Sequence, residues 1–112
     1  MNISLRTKDQ TFVFSLDGSL DIYTSLDLKT LLEDQVKNQN PEVCINLDQL
    51  TYIDSSGIGI LIKALNYVQA LGGNMCVANL KPAIEKVFKV SGLTNYFEIV
   101  SPDEYSARFT SV

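Results

Sequence analysis

The sequence predicts a single α/β domain with a mainly parallel, mixed sheet of about five strands and about four helices. Stretches with the period-2 alternation of a strand are followed repeatedly by stretches with helical periodicity. This order is typical of βαβ units, in which right-handed crossovers place successive strands side by side. The 112 residues, 46% of them apolar, suffice for one core, so residues 1–112 are expected to form one domain.

The first half of the chain contains two strand patterns on either side of a helix pattern. Residues 11–16 alternate between two sets of side chains, as a strand does, and the Asp-Gly pair at 17–18 ends the alternation. Residues 24–40 begin with a threonine and, three residues later, an aspartate, the spacing of a helix N-cap pair. Residues 43–47 form the next predicted strand. The apolar stripe of the predicted helix consists of Leu28, Leu31, Leu32 and Val36.

The second half contains three helix patterns that alternate with two strand patterns. Residues 56–71 carry the longest helical pattern, and a Gly-Gly pair closes it. Residues 75–78 and 97–100 are predicted strands, and residues 82–92 are a predicted helix with a proline in its first turn. A last helix is expected to begin at Ser101. In the longest helix the predicted core stripe is Ile58, Leu61, Ile62, Leu65 and Val68. A second stripe there, Ile60, Tyr67 and Leu71, is expected either to pack against another helix or to contact a partner.

The composition excludes several classes of function. The chain has no histidine, which removes the commonest general base, the commonest metal ligand and every Ser-His or Cys-His nucleophile. Its net charge of −4 argues against a surface for DNA or RNA. Most familiar hydrolase chemistry is thereby excluded, and direct contact with nucleic acid is not expected.

Cysteine usage and apolar segments indicate the compartment. Cys44 and Cys76 lie in apolar strand patterns without the close pairing of a zinc site or a redox motif, so we interpret them as reduced core thiols. The N-terminus has no apolar leader segment, and the longest apolar stretch, residues 58–62, is stopped by Lys63. The expectation is a cytoplasmic protein without a membrane contact.

The most informative stretch is residues 47–60, in which a strand and a short loop deliver Asp54, Ser55 and Ser56 to a helix start. Helix N-termini leave amides unpaired and carry a partial positive charge, so these side chains suit capping and an added phosphate would be tolerated. Gly57 and Gly59 each cost about 1 kcal/mol of helix propensity relative to alanine. They invite a reason, such as packing against the sheet or the close approach of a partner.

Residues 54–59, Asp-Ser-Ser-Gly-Ile-Gly, resemble the D-S-[ST]-G-[LI]-G core of STAS domains, the anti-sigma factor antagonist family. Three further segments resemble that family in the same order along the chain, over residues 3–110. They are Gly18-Ser19-Leu20-Asp21 with Thr24, the pair Gly72-Gly73, and Lys81-Pro82-Ala83 with Phe88 and Ser91-Gly92-Leu93. The chain is thereby identified as a single STAS-like domain.

The resemblance implies a binding protein that is controlled by phosphorylation, that is not itself an enzyme and that uses no metal or cofactor. In this family a serine of the DSSG loop is phosphorylated by a partner that is both an anti-sigma factor and a serine kinase of the GHKL type. The unmodified form binds that partner and releases a sigma factor, and a metal-dependent serine/threonine phosphatase resets the system. By position the phosphoacceptor is Ser55, with Ser56 as a secondary candidate. Ser19 departs from the family, because many members carry an acid there.

The same resemblance, with the helical spacing after the motif, suggests which residues meet the partner. Asp21 and Asp54 would lie beside the phosphoacceptor, although Asp21 could equally bond local amides and start the following helix. Gly57 belongs to the expected contact set. Gly59 and Lys63 fall on the polar side of the helix and are expected to be rim contacts.

Two other interpretations stay open. A STAS scaffold or transporter-associated regulatory subunit would use the serines only as helix caps. A small enzyme or a receiver-like phosphoaspartyl domain would need an acidic magnesium pocket and a suitably placed lysine, and although Asp21 and Asp54 could meet, the usual adjacent acidic pair is missing.

Overall fold

The computed structural model describes all 112 residues and contains a five-stranded sheet with four α-helices. The strands are β1 (Asn2–Lys8), β2 (Thr11–Leu20), β3 (Glu42–Ile53), β4 (Asn74–Ala78) and β5 (Glu98–Val100). The helices are α1 (Ser25–Gln35), α2 (Ser55–Ala70), α3 (Pro82–Val90) and α4 (Pro102–Phe109), with a short 3-10 helix at Leu93–Asn95. None of the helices combines the length and apolar character that a membrane crossing requires.

The sheet is mixed and mainly parallel, as predicted. Its strand order is β1-β2-β3-β4-β5, and β1 alone is antiparallel to its neighbour, while the other three pairings are parallel. Each parallel pairing is joined through a helix, which is the connection that parallel neighbours require. The carboxyl ends of β2 to β5 therefore lie on the same side of the sheet.

Strand β1 was not predicted by the sequence analysis. It pairs with β2 as a hairpin whose turn includes Asp9, with φ 55°. Its apolar residues Ile3 and Leu5 are only half-buried, and Arg6 and Lys8 follow them. An edge strand of this kind carries a weak alternation signal, because only one of its edges and part of one face are covered.

The two faces of the sheet are covered unequally. One face carries the main core, where Phe14 and Ile45 of the strands meet Leu28, Leu61 and Phe88 of α1, α2 and α3. The other face is covered by α4. Its smaller cluster contains Val13, Cys44, Cys76, Ala78, Val100 and Phe109.

Cys44 and Cys76 are free, buried and directly registered across β3 and β4, as expected for core thiols. The hydrogen bond to Cys76, together with burial, raises the pKa of the Cys44 thiol above its ordinary value. Since the thiolate is the reactive form of cysteine, the Cys44 thiol is held in its unreactive state.

Arg108 fixes α4 to the sheet. Its guanidinium forms ion pairs with Glu42 of β3, Glu98 of β5 and Glu104 within α4. From β1, Arg6 donates to the carbonyl oxygen of Phe109 at 3.0 Å. The second face is thus closed by polar clamps around a small apolar centre.

Two helix details differ from the sequence analysis. Helix α1 ends at Gln35 rather than near residue 40, with Val36 as its C-cap. In α2, Ile60 and Ala64 are buried whereas Ile58 and Ile62 are only half-buried. The reason is that α2 packs on α1 as well as on the sheet. The buried residues of α2 therefore differ from those expected for packing on the sheet alone.

Tyr67, on the second predicted stripe of α2, packs against another helix. Its hydroxyl donates to the carbonyl oxygen of Val36 at 2.7 Å, just beyond the end of α1. This confirms the expected helix packing for Tyr67, while Ile60 is buried in the main core.

Candidate functional site

The candidate site lies where β2 and β3 end side by side. Leu20 is registered with Ile53, and these are the last residues of the two parallel strands. The next residues, Asp21 and Asp54, therefore enter adjacent loops, and the amide of Asp54 donates to the carbonyl oxygen of Leu20 at 3.3 Å. The two carboxylate residues that the sequence analysis singled out thus belong to one edge of the sheet.

Asp54 is the N-cap of α2. Its backbone is extended, with φ −114° and ψ −172°, and its side-chain oxygen Oδ1 accepts a hydrogen bond from the amide of Gly57 at 3.1 Å. The amide of Ile58 closes the first helical turn onto the carbonyl oxygen of Asp54 at 3.0 Å. This capping was one of the two roles expected for the residue, and it fixes the start of α2.

The two serines occupy the first two positions of α2 and differ in exposure. Ser55 is exposed and Ser56 is half-buried. The first amides of a helix have no partner within the helix and carry its partial positive charge. The hydroxyl of Ser55 is therefore presented to the surroundings on a rigid, electropositive helix end.

Gly57 has a packing role. A Cβ atom at this position would lie 2.3 Å from the carbonyl oxygen of Leu20 and 2.9 Å from Cγ1 of Ile53. Only glycine allows the helix to approach the end of the sheet so closely. Gly57 is buried, so the packing alternative is confirmed, and its contact with a partner stays a prediction.

Gly59 is the opposite case. A Cβ atom there would meet no heavy atom within 4 Å, so nothing inside the protein requires a glycine. Lys63 lies one turn further along α2 and is exposed. Because residues four apart share a helix face, Ser55, Gly59 and Lys63 form one open strip of α2.

Asp21 organises its own loop. Its Oδ1 accepts hydrogen bonds from the amides of Tyr23 at 2.9 Å and Thr24 at 3.2 Å. Local bonding of this aspartate is thereby confirmed, and its contact with a partner stays a prediction.

The Thr24 hydroxyl does not cap α1, as the N-cap pair had suggested. It donates to the carbonyl oxygen of Ser19 at 2.7 Å and accepts from the amide of Asp21 at 3.0 Å. The threonine is turned back towards the strand, because β2 runs on to Leu20 and offers a carbonyl acceptor there.

The sequence analysis missed the apolar side chains around this loop. Ile22, Tyr23 and Leu26 are exposed by 67%, 86% and 64%, and Tyr52, two residues before Asp54, by 53%. The available signal for Ile22, Tyr23 and Leu26 was their place outside the apolar stripe of α1, which left them without a core to join.

The site is a surface rather than a cavity. The protein has two surface concavities, one lined by residues that include Asn2, Ser15 and Asn46, the other by residues that include Asn79 and Ser101. Neither contains a residue of the candidate site. No group of three or more Cys, Asp or Glu side chains is arranged to hold a metal ion. Small-molecule sites are concave, so this geometry suits a protein partner.

Comparison with known proteins gives a family and a fold. The STAS domain family model matches residues 2–107. The anti-sigma-B factor antagonist of Staphylococcus aureus is 23% identical over 99 residues, which are 88% of this chain and 92% of that protein.

Two solved structures share the fold. An anti-sigma factor antagonist from Mycobacterium paratuberculosis superposes with a TM-score of 0.80 and 21% identity, covering 95% of this chain and 91% of that one. The Bacillus cell fate determinant SpoIIAA in its phosphorylated form superposes with a TM-score of 0.68 and 24% identity, covering 96% and 98%. These relatives match nearly the whole chain.

Proposed function

The chain belongs to the STAS domain family, and we propose that it is an anti-sigma factor antagonist whose partner binding is controlled by phosphorylation of Ser55. In this proposal the unmodified chain binds an anti-sigma factor that is also a serine kinase of the GHKL type, and the sigma factor is released. A metal-dependent serine/threonine phosphatase removes the phosphate. The exchange takes place in the cytoplasm and involves neither a membrane nor direct contact with nucleic acid.

The observation that carries the proposal is the setting of Ser55. Its hydroxyl is exposed at the first position of α2, and that position is fixed by the Asp54 cap and by the close approach of Gly57 to β2. Ser56, one residue further, is half-buried and is the less accessible acceptor. The names of the relatives and the phosphorylated form of one of them support the same function.

A phosphate on Ser55 would change the surface and leave the fold intact. It adds about 1.5 to 2 negative charges and three strong acceptors, and the unpaired amides of a helix N-terminus tolerate both. The same charge lies beside Asp21 and Asp54 when a partner covers the site. Burying it against an unprepared surface would cost ~2 to 5 kcal/mol of binding free energy.

The proposed activity is binding and not catalysis. The site has no histidine, no metal-holding cluster and no enclosing cavity, so it supplies none of the usual means of chemical activation. The chemistry of phosphate transfer belongs to the kinase and the phosphatase. In this chain the acceptor hydroxyl and the surface around it are the functional parts.

An intact-mass experiment tests the proposal. The chain is incubated with ATP and each purified GHKL-type kinase of its organism, and phosphate incorporation and complex formation are measured together. We expect one added phosphate on the wild type and on Ser56→Ala, and none on Ser55→Ala. Stable complex formation without any phosphate on Ser55 would instead favour the scaffold or transporter-associated role.

A further inference from the structure

We propose that Ile22, Tyr23 and Leu26, here called the apolar turn, form the main attachment point for the partner protein. The complementary surface of that protein would be an apolar depression bordered by lysine or arginine side chains. This inference rests on the proposed function, because it concerns the partner that covers Ser55. In this inference the apolar turn supplies most of the affinity of the complex, and the phosphorylated residue, Ser55, does not.

The apolar turn is unusually exposed for its composition. Its three side chains are exposed by 67%, 86% and 64% for Ile22, Tyr23 and Leu26. Isolated exposed apolar residues are common, but three within five positions form a patch, and such patches mark interaction sites. The amide of Ser25 bonds to the carbonyl oxygen of Asp21 at 2.9 Å, so the backbone already turns helically here and brings Ile22 and Leu26 to one side.

The turn is held in one conformation before any partner binds. The Asp21 carboxylate accepts from the amides of Tyr23 and Thr24, and the Thr24 hydroxyl donates back to the carbonyl oxygen of Ser19. A preorganised turn loses little conformational entropy on binding, so most of the free energy gained from its apolar contacts contributes to the affinity. Tyrosine is also enriched among residues that dominate interface energies.

The turn is continuous with the proposed phosphorylation site. It begins two residues after Leu20, whose carbonyl oxygen accepts the amide of Asp54 at 3.3 Å and lies against Gly57. A partner surface that covers Ser55 therefore meets the apolar turn as well. The two regions form one interface in which the turn supplies apolar area and Ser55 supplies the control.

Charge identifies the kind of partner. No lysine or arginine occurs in residues 9–28 or 38–62, so the turn and the loop of Ser55 contribute only acids, namely Asp21, Asp27 and Asp54. The open strip of α2 adds one exposed base, Lys63, about two helical turns from Ser55. The first base after the turn, Lys29, is paired with Glu33 at 3.1 Å. A partner with basic side chains opposite Asp21 and Asp27 of the turn complements this surface, whereas the part of the partner that covers Ser55 offers no base to receive a phosphate. A second copy of this chain, or an anionic bilayer, would be repelled by it.

The test compares matched surface variants in binding to the GHKL-type kinase that labels Ser55. The variants are Tyr23→Ser, the double variant Ile22→Ser/Tyr23→Ser, and Val90→Ser as control, because Val90 is a remote apolar residue exposed by 80%. We expect Kd to rise about 30-fold or more for the double variant and at least 5-fold, roughly, for Tyr23→Ser, with Val90→Ser within about 2-fold of wild type. The association rate of the wild type should fall as salt is raised. Thermal unfolding of each variant verifies its fold, and Tyr23→Ser serves alone if the double variant does not fold.

The outcomes separate the two proposals. If the wild type is bound and labelled but the turn variants bind as tightly as it does, the apolar turn is not the attachment point and the phosphorylation proposal stands. If no kinase binds or labels the wild type, the proposed function fails and this inference fails with it. Sedimentation of the wild type as a dimer, or its flotation with phosphatidylglycerol vesicles, abolished by Tyr23→Ser, would show that another occupant covers the turn and would overturn the inference.

Discussion

Gly57 lies against the carbonyl oxygen of Leu20, with space for a hydrogen atom but none for a methyl group: a Cβ atom would be 2.3 Å from that oxygen. This contact joins the start of α2 to the end of β2. It sets where Asp54 and Ser55 stand relative to Asp21.

Replacing Gly57 with alanine should destabilise the protein. The clash is with backbone, which cannot rotate away, so it outweighs the gain in helix propensity, and we expect a loss of about 1 to 3 kcal/mol in the free energy of unfolding. Urea unfolding followed by circular dichroism measures it. A stability equal to wild type would mean that α2 can move off the sheet edge and that Gly57 does not fix the site.

Replacing Gly59 with alanine should have the reverse effect on stability. A Cβ atom there meets nothing within 4 Å, so the change should stabilise the helix by about 0.5 to 1 kcal/mol. Because Gly59 shares the exposed strip with Ser55, the same variant should bind the kinase more weakly. Unfolding and binding are measured on the same preparation, and unchanged binding would remove Gly59 from the interface.

Phosphorylation of Ser55 should alter affinity far more than stability. The helix N-terminus accepts the phosphate, so the melting temperature of the modified chain should change by less than about 3 °C. Partner binding should weaken by ~2 to 5 kcal/mol, which is about 30-fold to several thousandfold. Calorimetry and titration of the purified phospho-form provide both numbers. A large fall in melting temperature would point to an internal rearrangement instead.

Asp21→Asn should separate the two roles of that residue. Asparagine keeps an Oδ1 acceptor for the amides of Tyr23 and Thr24, so stability should stay within about 0.5 kcal/mol of wild type. The lost negative charge should lower kinase binding or the rate of Ser55 labelling. As the matched control, Asp21→Ala removes the acceptor too and should cost about 1 kcal/mol of stability. Equal labelling of wild type and Asp21→Asn would leave Asp21 a purely local role.

Asp54→Ala should destabilise the first turn of α2. The variant loses the hydrogen bond from the amide of Gly57, and an N-cap of this kind contributes about 0.5 to 2 kcal/mol. Asp54→Ser preserves a capping oxygen without the charge, so it should recover most of the stability. Denaturant titration of both variants, with hydrogen exchange at the first amides of α2, decides whether the cap acts as described. Equal stability of the alanine and serine variants would contradict it.

The sequence predicted the architecture well because the alternation of strands and helices is written in local periodicity. It located Ser55 and Asp54 at a helix start, and it anticipated both a local role for Asp21 and helix packing for Tyr67. These inferences depend on neighbours along the chain. The local sequence pattern was sufficient to predict the position of a residue when the groups it contacts lie within one helical turn of it. It was also sufficient when all the residues of an apolar stripe pack against the same surface.

What the sequence could not supply depends on contacts across the sheet. The adjacency of Leu20 and Ile53 follows from strand register, and the reason for Gly57 follows from that adjacency. The burial of Ile60 rather than Ile58 depends on how α1 packs against α2. The edge strand β1 was not predicted, because its side chains are only half-buried and its sequence shows little alternation of apolar and polar residues. None of these is a property of a single segment.

The uneven cover of the sheet gives the last few residues an importance out of proportion to their number. Because α4 alone shields the face that holds Cys44 and Cys76, a chain cut after Ser101 would open an apolar sheet surface to water. Such a chain would expose two thiols to alkylating reagents and would tend to aggregate, although every residue near Ser55 is present. A bulky fusion partner would thus be better tolerated away from the end that Phe109 and Arg108 hold in place.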